Sequence, residues 1–177
     1  MKGHPAIAKL EQAWTTIDSP EAALKVSVSL LGSLLQCDRC FLYVRSPTLK
    51  IGKVPFCWCR TPDIAEIKDA DWKVEPSSLP EEDPMFLAAL RAEPSIFVED
   101  VETAQPDTLN RQFERENFGH RALVHAHLCS HDQLWAILQP CVFDQPRLWS
   151  ENDRALIHQA VRHMSPLAIH YVTREIN

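Results

Sequence analysis

Two histidines on one predicted strand are the side chains of this sequence best placed to do chemistry. Residues 123–129 (LVHAHLC) read as a strand, whose alternation puts Leu123, His125, His127 and Cys129 on one face. Imidazole and thiolate are good ligands of Zn²⁺ or Fe, and Cys141 lies on the next predicted strand. A metal site would need these groups to converge across strands, which spacing alone does not establish. Histidines bonded to backbone or water are the simpler interpretation, and we expect no metal.

The other chemically capable groups form no catalytic pattern. Cys37 and Cys40 have C-x-x-C spacing, but they straddle a predicted helix end and strand start, so we interpret them as core thiols. The acids at 81–83 and 99–100 fall on predicted loops, where they serve as solvated charges and helix caps. With four glycines, the chain shows no phosphate-binding loop. We therefore expect a protein that is not an enzyme.

Composition bounds the kind of protein that could carry these groups. A chain of 177 residues, 45% hydrophobic and 24% charged, suits one domain over residues 1–177. No apolar run is long enough to span a bilayer, and no targeting signal is visible, so the cytoplasm is the default location. Six cysteines are then expected to be reduced. A formal net charge of −6 without a basic cluster disfavours nucleic acid as a partner.

The elements that must position the histidines follow from periodicity and cap signals. Apolar spacing predicts helices over residues 5–17, from Pro20 behind a Ser19 cap, over 84–91 behind Asp83, over 107–118, and from Ser150 onward. Strands are predicted at 40–44, 54–59, 96–98, 123–129 and 134–142, with a tight turn at 130–133. The order is that of an α+β domain with one antiparallel sheet.

Several segments resemble GAF domains, most closely those of the phytochrome and cyanobacteriochrome type. The segments that carry the resemblance are 37–43 (CDRCFLY), 79–84 (LPEEDP), 98–101 (VEDV), 119–124 (GHRALV), 134–138 (LWAIL), 146–149 (PRLW) and 151–153 (END). The resemblance implies a central antiparallel sheet of five or six strands. It places the N- and C-terminal helices on one face of that sheet and a ligand pocket on the other.

One departure from the phytochrome-type pattern bears on the cofactor. That pattern has a Cys-His pair that supplies the bilin-attaching thiol and a ring-stacking imidazole, and here Asn110 and Arg111 occupy its place. Neither side chain has a thiol, so covalent bilin attachment at that position is not expected. The ligand is left unknown. The glycine-flanked cysteines of free methionine sulfoxide reductases, which are stand-alone GAF domains, are not matched either.

By the resemblance, the face with the two histidines is turned toward the ligand pocket. The ligand-binding residues it implies are Phe41, Tyr43, Phe56, Trp58, Leu123, His125, His127, Gln139 and Cys141. Phe56 and Trp58 join them only if the second strand keeps its register past Pro55. The alternative is a pocket filled by Phe56, Trp58 and Leu123.

Three functional interpretations remain open at this point. The first is a sensory or regulatory module that binds a small molecule noncovalently and relays to a partner protein. The second is a degenerate domain kept as a protein-interaction or assembly factor, and the third is a metal- or tetrapyrrole-binding protein. For the first, apolar stripes on both terminal helices predict a homodimer; they comprise Ile7, Leu10, Trp14 and Ile17 with Ile157, Val161, Met164 and Ala168.

Overall fold

The computed structural model describes residues 5–177 and shows a six-stranded antiparallel sheet with six helices. The helices are α1 (Pro5–Thr16), α2 (Pro20–Leu34), α3 (Leu79–Glu82), α4 (Pro84–Leu90), α5 (Arg111–Asn117) and α6 (Glu151–Ile176). The strands are β1 (Arg39–Ser46), β2 (Ile51–Cys59), β3 (Lys73–Val74), β4 (Ile96–Val98), β5 (Ala122–Ser130) and β6 (Gln133–Val142). Their order in the sheet is β3-β2-β1-β6-β5-β4. The predicted α+β class and strand number are confirmed.

One face of the sheet is covered by the long helices. α2 and α6 pack on it, with Leu31 and Met164 fully buried against Leu42 and Leu138 of the central strands. α1 packs on α2, and Trp14 of α1 stacks on His163 of α6 with ring centroids 4.7 Å apart. The Trp14 indole N–H also donates to the Ser27 hydroxyl at 3.0 Å.

The apolar stripes of the terminal helices are used mainly inside the chain. Leu10, Ile157, Met164 and Ala168 are buried within it. These four residues therefore belong to the core of the chain itself, and any surplus available to a second chain is limited to the rest of the stripes. An amphipathic pattern does not distinguish a helix that packs on its own sheet from one that packs on a second chain.

Local signals place the helix ends and the tight turn where the sequence predicts them. The Ser19 hydroxyl accepts a hydrogen bond from Ala22 N, and Ser150 with Asp153 forms a complete capping box. His131 and Asp132 both have positive φ, 50° and 57°, as a two-residue hairpin turn requires. α6 continues through Pro166.

A β-bulge changes which side chains of β2 face the helices. Val44 pairs with Lys53, whereas Leu42 pairs with Phe56, so Val54 and Pro55 together lie opposite Tyr43. Beyond this extra residue, the alternation of β2 is inverted. Proline is common at such bulges because the unpaired position needs no N–H donor.

The other face of the sheet is covered by the irregular chain and short helices of residues 75–95 and 99–118, which flank the edge strand β4 and are here together called the covering segment. A buried ion pair ties its start to β1: Arg45 Nε donates to Glu75 Oε1 at 2.6 Å and Arg45 Nη2 to Glu75 Oε2 at 2.9 Å. Its helix α5 begins later than the predicted 107, at Arg111, with Asn110 as the cap. Within residues 5–177, no helix has both the length and the apolar character of a membrane span.

Candidate functional site

A cavity of about 340 Å³ lies between the sheet and the covering segment. Its floor is formed by residues of β1, β2, β5 and β6, namely Phe41, Tyr43, Gly52, Val54, His125, Ile137 and Gln139. The covering segment contributes Leu79, Asp83, Met85, Phe86, Phe113, Glu114 and Phe118. This volume is at the lower end of the roughly 300–1,000 Å³ typical of ligand pockets.

Phenylalanine rings form much of the apolar wall. Phe41 of β1 lies parallel to Phe118, with centroids 6.3 Å apart, and Phe113 meets Phe118 edge to face at 6.4 Å. Phe86 lines the cavity from α4. Such faces suit a flat conjugated ligand, because offset stacking between rings is favourable.

The two histidines form a directed hydrogen-bond relay. The Glu93 carbonyl can only accept, so His127 Nδ1 must donate to it, at 2.7 Å. Burial lowers the pKa of His127, so the ring is neutral and its Nε2 accepts from His125 Nδ1 at 2.9 Å. His125 Nε2 is then an acceptor. It has no hydrogen-bond partner within residues 5–177, and His125 lines the cavity.

Four carboxyl groups line the cavity: Asp69 and Glu75 are paired with Lys73 and Arg45, whereas Asp83 and Glu114 have no Lys or Arg partner within residues 5–177. Asp83 caps α4, with Oδ1 accepting from Met85 N and Phe86 N, and this leaves Oδ2 without a partner among the described residues. Burial, opposed in part by the Phe86 N–H and reinforced by the nearby Glu114 charge, raises the pKa of Asp83 to about 6. Glu114, in α5, is only 1% exposed.

A buried network holds Glu114 in place. Arg39 Nη2 donates to His120 Nε2 at 2.8 Å, which leaves the proton of a neutral His120 on Nδ1. That nitrogen lies 2.6 Å from Glu114 Oε1, although its N–H is not aligned for a good hydrogen bond, so we treat the contact as electrostatic. Burial lowers the pKa of His120 despite the Glu114 carboxylate. Glu114 Oε2 has no hydrogen-bond partner in the described part of the chain.

Gln139 and Tyr43 also contribute polar groups to the lining. Gln139 is 5% exposed, and its side-chain amide makes no hydrogen bond within residues 5–177. The Tyr43 hydroxyl donates to Glu75 Oε1 at 2.8 Å and is thereby held at the cavity wall. Burial raises the pKa of Tyr43, so it remains protonated.

The structure separates the nine predicted pocket residues into three groups. Phe41, Tyr43, His125 and Gln139 line the cavity. Leu123, His127 and Cys141 lie on the same face of the sheet without lining the cavity. Leu123 and Cys141 are packed with Met85 and Val98 in a small apolar cluster, whereas His127 supports His125.

Phe56 and Trp58 lie on the opposite face, and their placement in the pocket is wrong. Phe56 contacts Tyr171 of α6, and Trp58 packs against Gly32 of α2, where an added Cβ would approach the indole to 2.2 Å. The bulge at Val54 and Pro55 is the cause, because it inverts β2 beyond that point. Neither residue fills the cavity, so Phe56 and Trp58 do not support the alternative of a filled pocket.

The covering segment supplies site residues that the sequence interpretation missed. Phe86, Phe113 and Phe118 were not assigned to the pocket; Asp83 was interpreted as a solvated charge or helix cap, and Glu114 only as part of the predicted helix over 107–118. The signal available in the sequence was the pair Phe113 and Phe118, two large apolar residues in an otherwise polar stretch, which indicates that one side of α5 is buried. No local sequence pattern indicates that Glu114, and not Glu116, is the buried acid of α5.

His125, His127 and Cys141 are not arranged as a set of metal ligands. Within residues 5–177, no group of three or more His, Cys, Asp or Glu side chains could hold a metal ion. His125 and His127 bond to each other, and Cys141 Sγ donates instead to the Arg39 carbonyl at 3.3 Å.

Known structures of the same fold extend over nearly the whole chain. A GAF domain from an Acinetobacter phosphoenolpyruvate-protein phosphotransferase is 12% identical, with coverage of 95% of this chain and 93% of that chain and a TM-score of 0.71. The phycocyanobilin-bound GAF domain of a cyanobacterial phytochrome is 16% identical, with coverage of 97% and 98% and a TM-score of 0.74. A bacteriophytochrome from R. palustris is 14% identical over 92% of this chain but only 36% of its own, with a TM-score of 0.71.

Sequence comparison gives a family but no individual relative. No curated protein matches the chain. The family model described as GAF domain matches residues 19–165, a span that includes the cavity and both faces of the sheet. The chain therefore belongs to the GAF family of sensory and regulatory domains.

Proposed function

We propose that this chain is a non-catalytic GAF module that binds a small organic molecule noncovalently and relays its presence to a partner protein. The observation that carries the proposal is a cavity lined by two buried residues, His125 and Gln139, whose side chains each keep polar atoms without a hydrogen-bond partner within residues 5–177. Buried polar groups are normally hydrogen-bonded, so His125 Nε2 and the Gln139 amide are expected to be satisfied by something that enters the cavity.

The relay has a direct structural path. β1, β5 and β6 form the cavity floor on one face and bear α2 and α6 on the other. A ligand that shifts these strands changes the packing under both helices, because close-packed interiors transmit strain. We propose that the outer sides of α2 and α6 carry the signal to the partner. The match to GAF domains within larger proteins supports a role of this kind.

A homodimer through the terminal helices is part of this proposal, but with fewer residues than the stripes suggest. Ile7, Ile17 and Val161 are half-buried and remain available on the helical layer. Light scattering of the purified chain measures this directly, and a monomer at high micromolar concentration would remove the dimer while leaving the ligand site.

The ligand site is tested by filling the cavity. Val54 is buried and lines the cavity, so Val54→Phe should place its ring in the empty space without unfolding the protein. Saturation-transfer NMR with a library of one- and two-ring aromatic fragments should give binders for the native chain and none for Val54→Phe. Val26→Phe, the same change at an exposed position of α2, should keep every binder.

Two outcomes would contradict the proposal. If the native chain binds no fragment, the assembly-factor interpretation with a closed pocket is favoured. If Val54→Phe retains the same fragments, they bind elsewhere and the cavity is not the site.

A further inference from the structure

The unpartnered polar atoms of the cavity are mostly acceptors. They are His125 Nε2, Asp83 Oδ2 and Glu114 Oε2, each from a residue at most 8% exposed, with the Gln139 amide able to donate or accept. The direction of the histidine relay makes His125 Nε2 an acceptor, because the single N–H of the neutral His125 ring is on Nδ1 and donates to His127 Nε2. A ligand that complements this set must donate hydrogen bonds.

The charges of the lining residues also disfavour an anionic ligand. Each cationic group near the cavity already has an acceptor: Lys73 donates to Asp69 and Arg45 to Glu75. Arg39 does not line the cavity; its two terminal nitrogens donate to His120 and the Ala65 carbonyl, and its buried Nε has no partner among the described residues. Asp83 has only backbone donors, and Glu114 contacts only a neutral imidazole. Two buried carboxyl groups in one cavity, neither of them in direct contact with a Lys or Arg side chain of residues 5–177, are costly when ionised. An anionic ligand would add to that cost.

The aromatic wall favours a cation as well. Phe113 and Phe118 come from the same short stretch of chain as Glu114, and Phe41 lies parallel to Phe118 from the sheet. The negative faces of such rings attract organic cations, and more strongly when water is excluded. The same rings accept the faces of a flat body.

We infer that the cavity binds a small, flat organic cation whose protonated nitrogen carries N–H donors, as in an amidine or a protonated amino-heterocycle. Asp83 and Glu114 supply the counter-charge, His125 Nε2 and Gln139 take up further polar groups, and the phenylalanines hold the ring. The inference rests on the proposed function, since it names the ligand class for the same cavity. Its volume of about 340 Å³ suits a compound of one or two rings.

Benzamidine, benzamide and benzoate have nearly the same shape but are cationic, neutral and anionic, so they distinguish the effect of ligand charge from that of ligand shape. Isothermal titration of the native chain at pH 7.5 should show benzamidine binding at least tenfold more tightly than benzamide, and benzoate not at all. Glu114→Gln and Asp83→Asn should each weaken benzamidine about tenfold. Glu116→Gln, which changes an exposed acid of the same helix α5, should leave the affinity unchanged.

The possible failures are distinguishable, and the probe comparison needs no variant to fold. Benzoate or benzamide binding as well as benzamidine would overturn the cation assignment and leave the cavity as a ligand site. Equal loss in Glu116→Gln would assign the effect to overall charge and overturn it also. No binding by any probe, together with no fragment binding to the native chain, would remove both the cation and the proposed function.

Discussion

Asp83 shows at the scale of one residue how structure and site share a side chain. One carboxylate oxygen caps α4, and the other has no partner among the described residues, although Asp83 lines the cavity. The cap alone would favour the charged form, since backbone N–H groups stabilise a carboxylate. Burial outweighs it and, with Glu114 nearby, raises the pKa of Asp83 to about 6. The charge of Asp83 therefore destabilises the fold that its cap helps to build.

Replacing Asp83 by asparagine should stabilise the protein at neutral pH. Asparagine caps a helix about as well as aspartate, so the cap is kept while the buried charge is removed. Between the unfolded pKa near 3.9 and the folded value of about 6, the folded state of the native chain binds more protons. Its stability consequently falls as pH rises through that interval and stays lower above it.

The expected gain for Asp83→Asn is roughly 2 to 3 kcal/mol at pH 7.5, shrinking toward pH 4. Urea unfolding at pH 5 and pH 7.5 measures both values. Glu81→Gln, an exposed acid on the neighbouring helix α3, should change stability by less than about 0.5 kcal/mol at either pH. A gain for Asp83→Asn that is the same at both pH values would show that the charge is not its source.

The sequence predicts single residues well only where strict alternation holds. His125 and Gln139 lie on uninterrupted stretches of β5 and β6, and both face the cavity as expected. Asp83 was recognised as a cap, but no local pattern reports its burial. Glu114 requires the fold of the covering segment to be known, because its helix carries acids at 114 and 116 and only the first is buried.

At the scale of elements, α6 contains a proline that lowers the stability of the helix. Pro166 lies inside the helix, where it has no N–H to bond the preceding turn. Its side chain is exposed, so it contributes little to the core. The Ser165 hydroxyl beside it donates to the Val161 carbonyl, which is not the carbonyl that Pro166 leaves without an N–H. Packing of Ile157, Met164 and Tyr171 on the sheet keeps the helix continuous across this position.

Pro166→Ala should therefore stabilise the protein, by about 1 to 3 kcal/mol, because alanine restores the missing backbone hydrogen bond. The denaturation midpoint in urea, at unchanged slope, is the measurement. Pro146→Ala is the matched control: Pro146 is exposed in a loop, and its loss should destabilise slightly by freeing the unfolded chain. Destabilisation by Pro166→Ala would mean that the proline shapes how α6 sits on the sheet.

Element boundaries in the covering segment were the hardest to foresee. β3 has two residues and α3 has four, and both are too short to leave a periodic pattern. α5 was expected to begin near 107 because the polar stretch is continuous, whereas Asn110 caps it by accepting from Phe113 N. By contrast, α2, α6 and the β5–β6 hairpin are long or sharply punctuated, and each was predicted in type and position.

At the scale of the whole molecule, the two faces of the sheet are held together to different extents. One face carries α6, with 26 residues, whereas the cavity is covered by helices of 4, 7 and 7 residues. Segments with short helices and little core of their own open locally at lower free energy than the global core. The ion pair between Arg45 and Glu75 is the main polar tie of the covering segment to β1.

Hydrogen exchange should resolve this difference in one experiment. We expect amides of α3, α4 and α5 to exchange at least tenfold faster than those of β1, β5 and β6. Glu75→Gln should speed exchange in the covering segment and leave α6 unchanged, because it weakens a buried charged hydrogen bond. Glu102→Gln, which alters an exposed pair with Arg115, should have little effect. Uniform protection on both faces would contradict this picture.

The extra residue in β2 also has a consequence for how this cavity can evolve. Beyond Val54 and Pro55, β2 turns Cys57 toward the cavity side and Phe56 and Trp58 toward the helices. No single substitution exchanges these two sets, but the loss of one codon at the bulge would move the aromatic pair to the cavity face of the sheet and the Cys57 thiol to the helical face. Descendants of such a chain would differ in what they recognise through a change in length, and an alignment that counts only substitutions would miss the event.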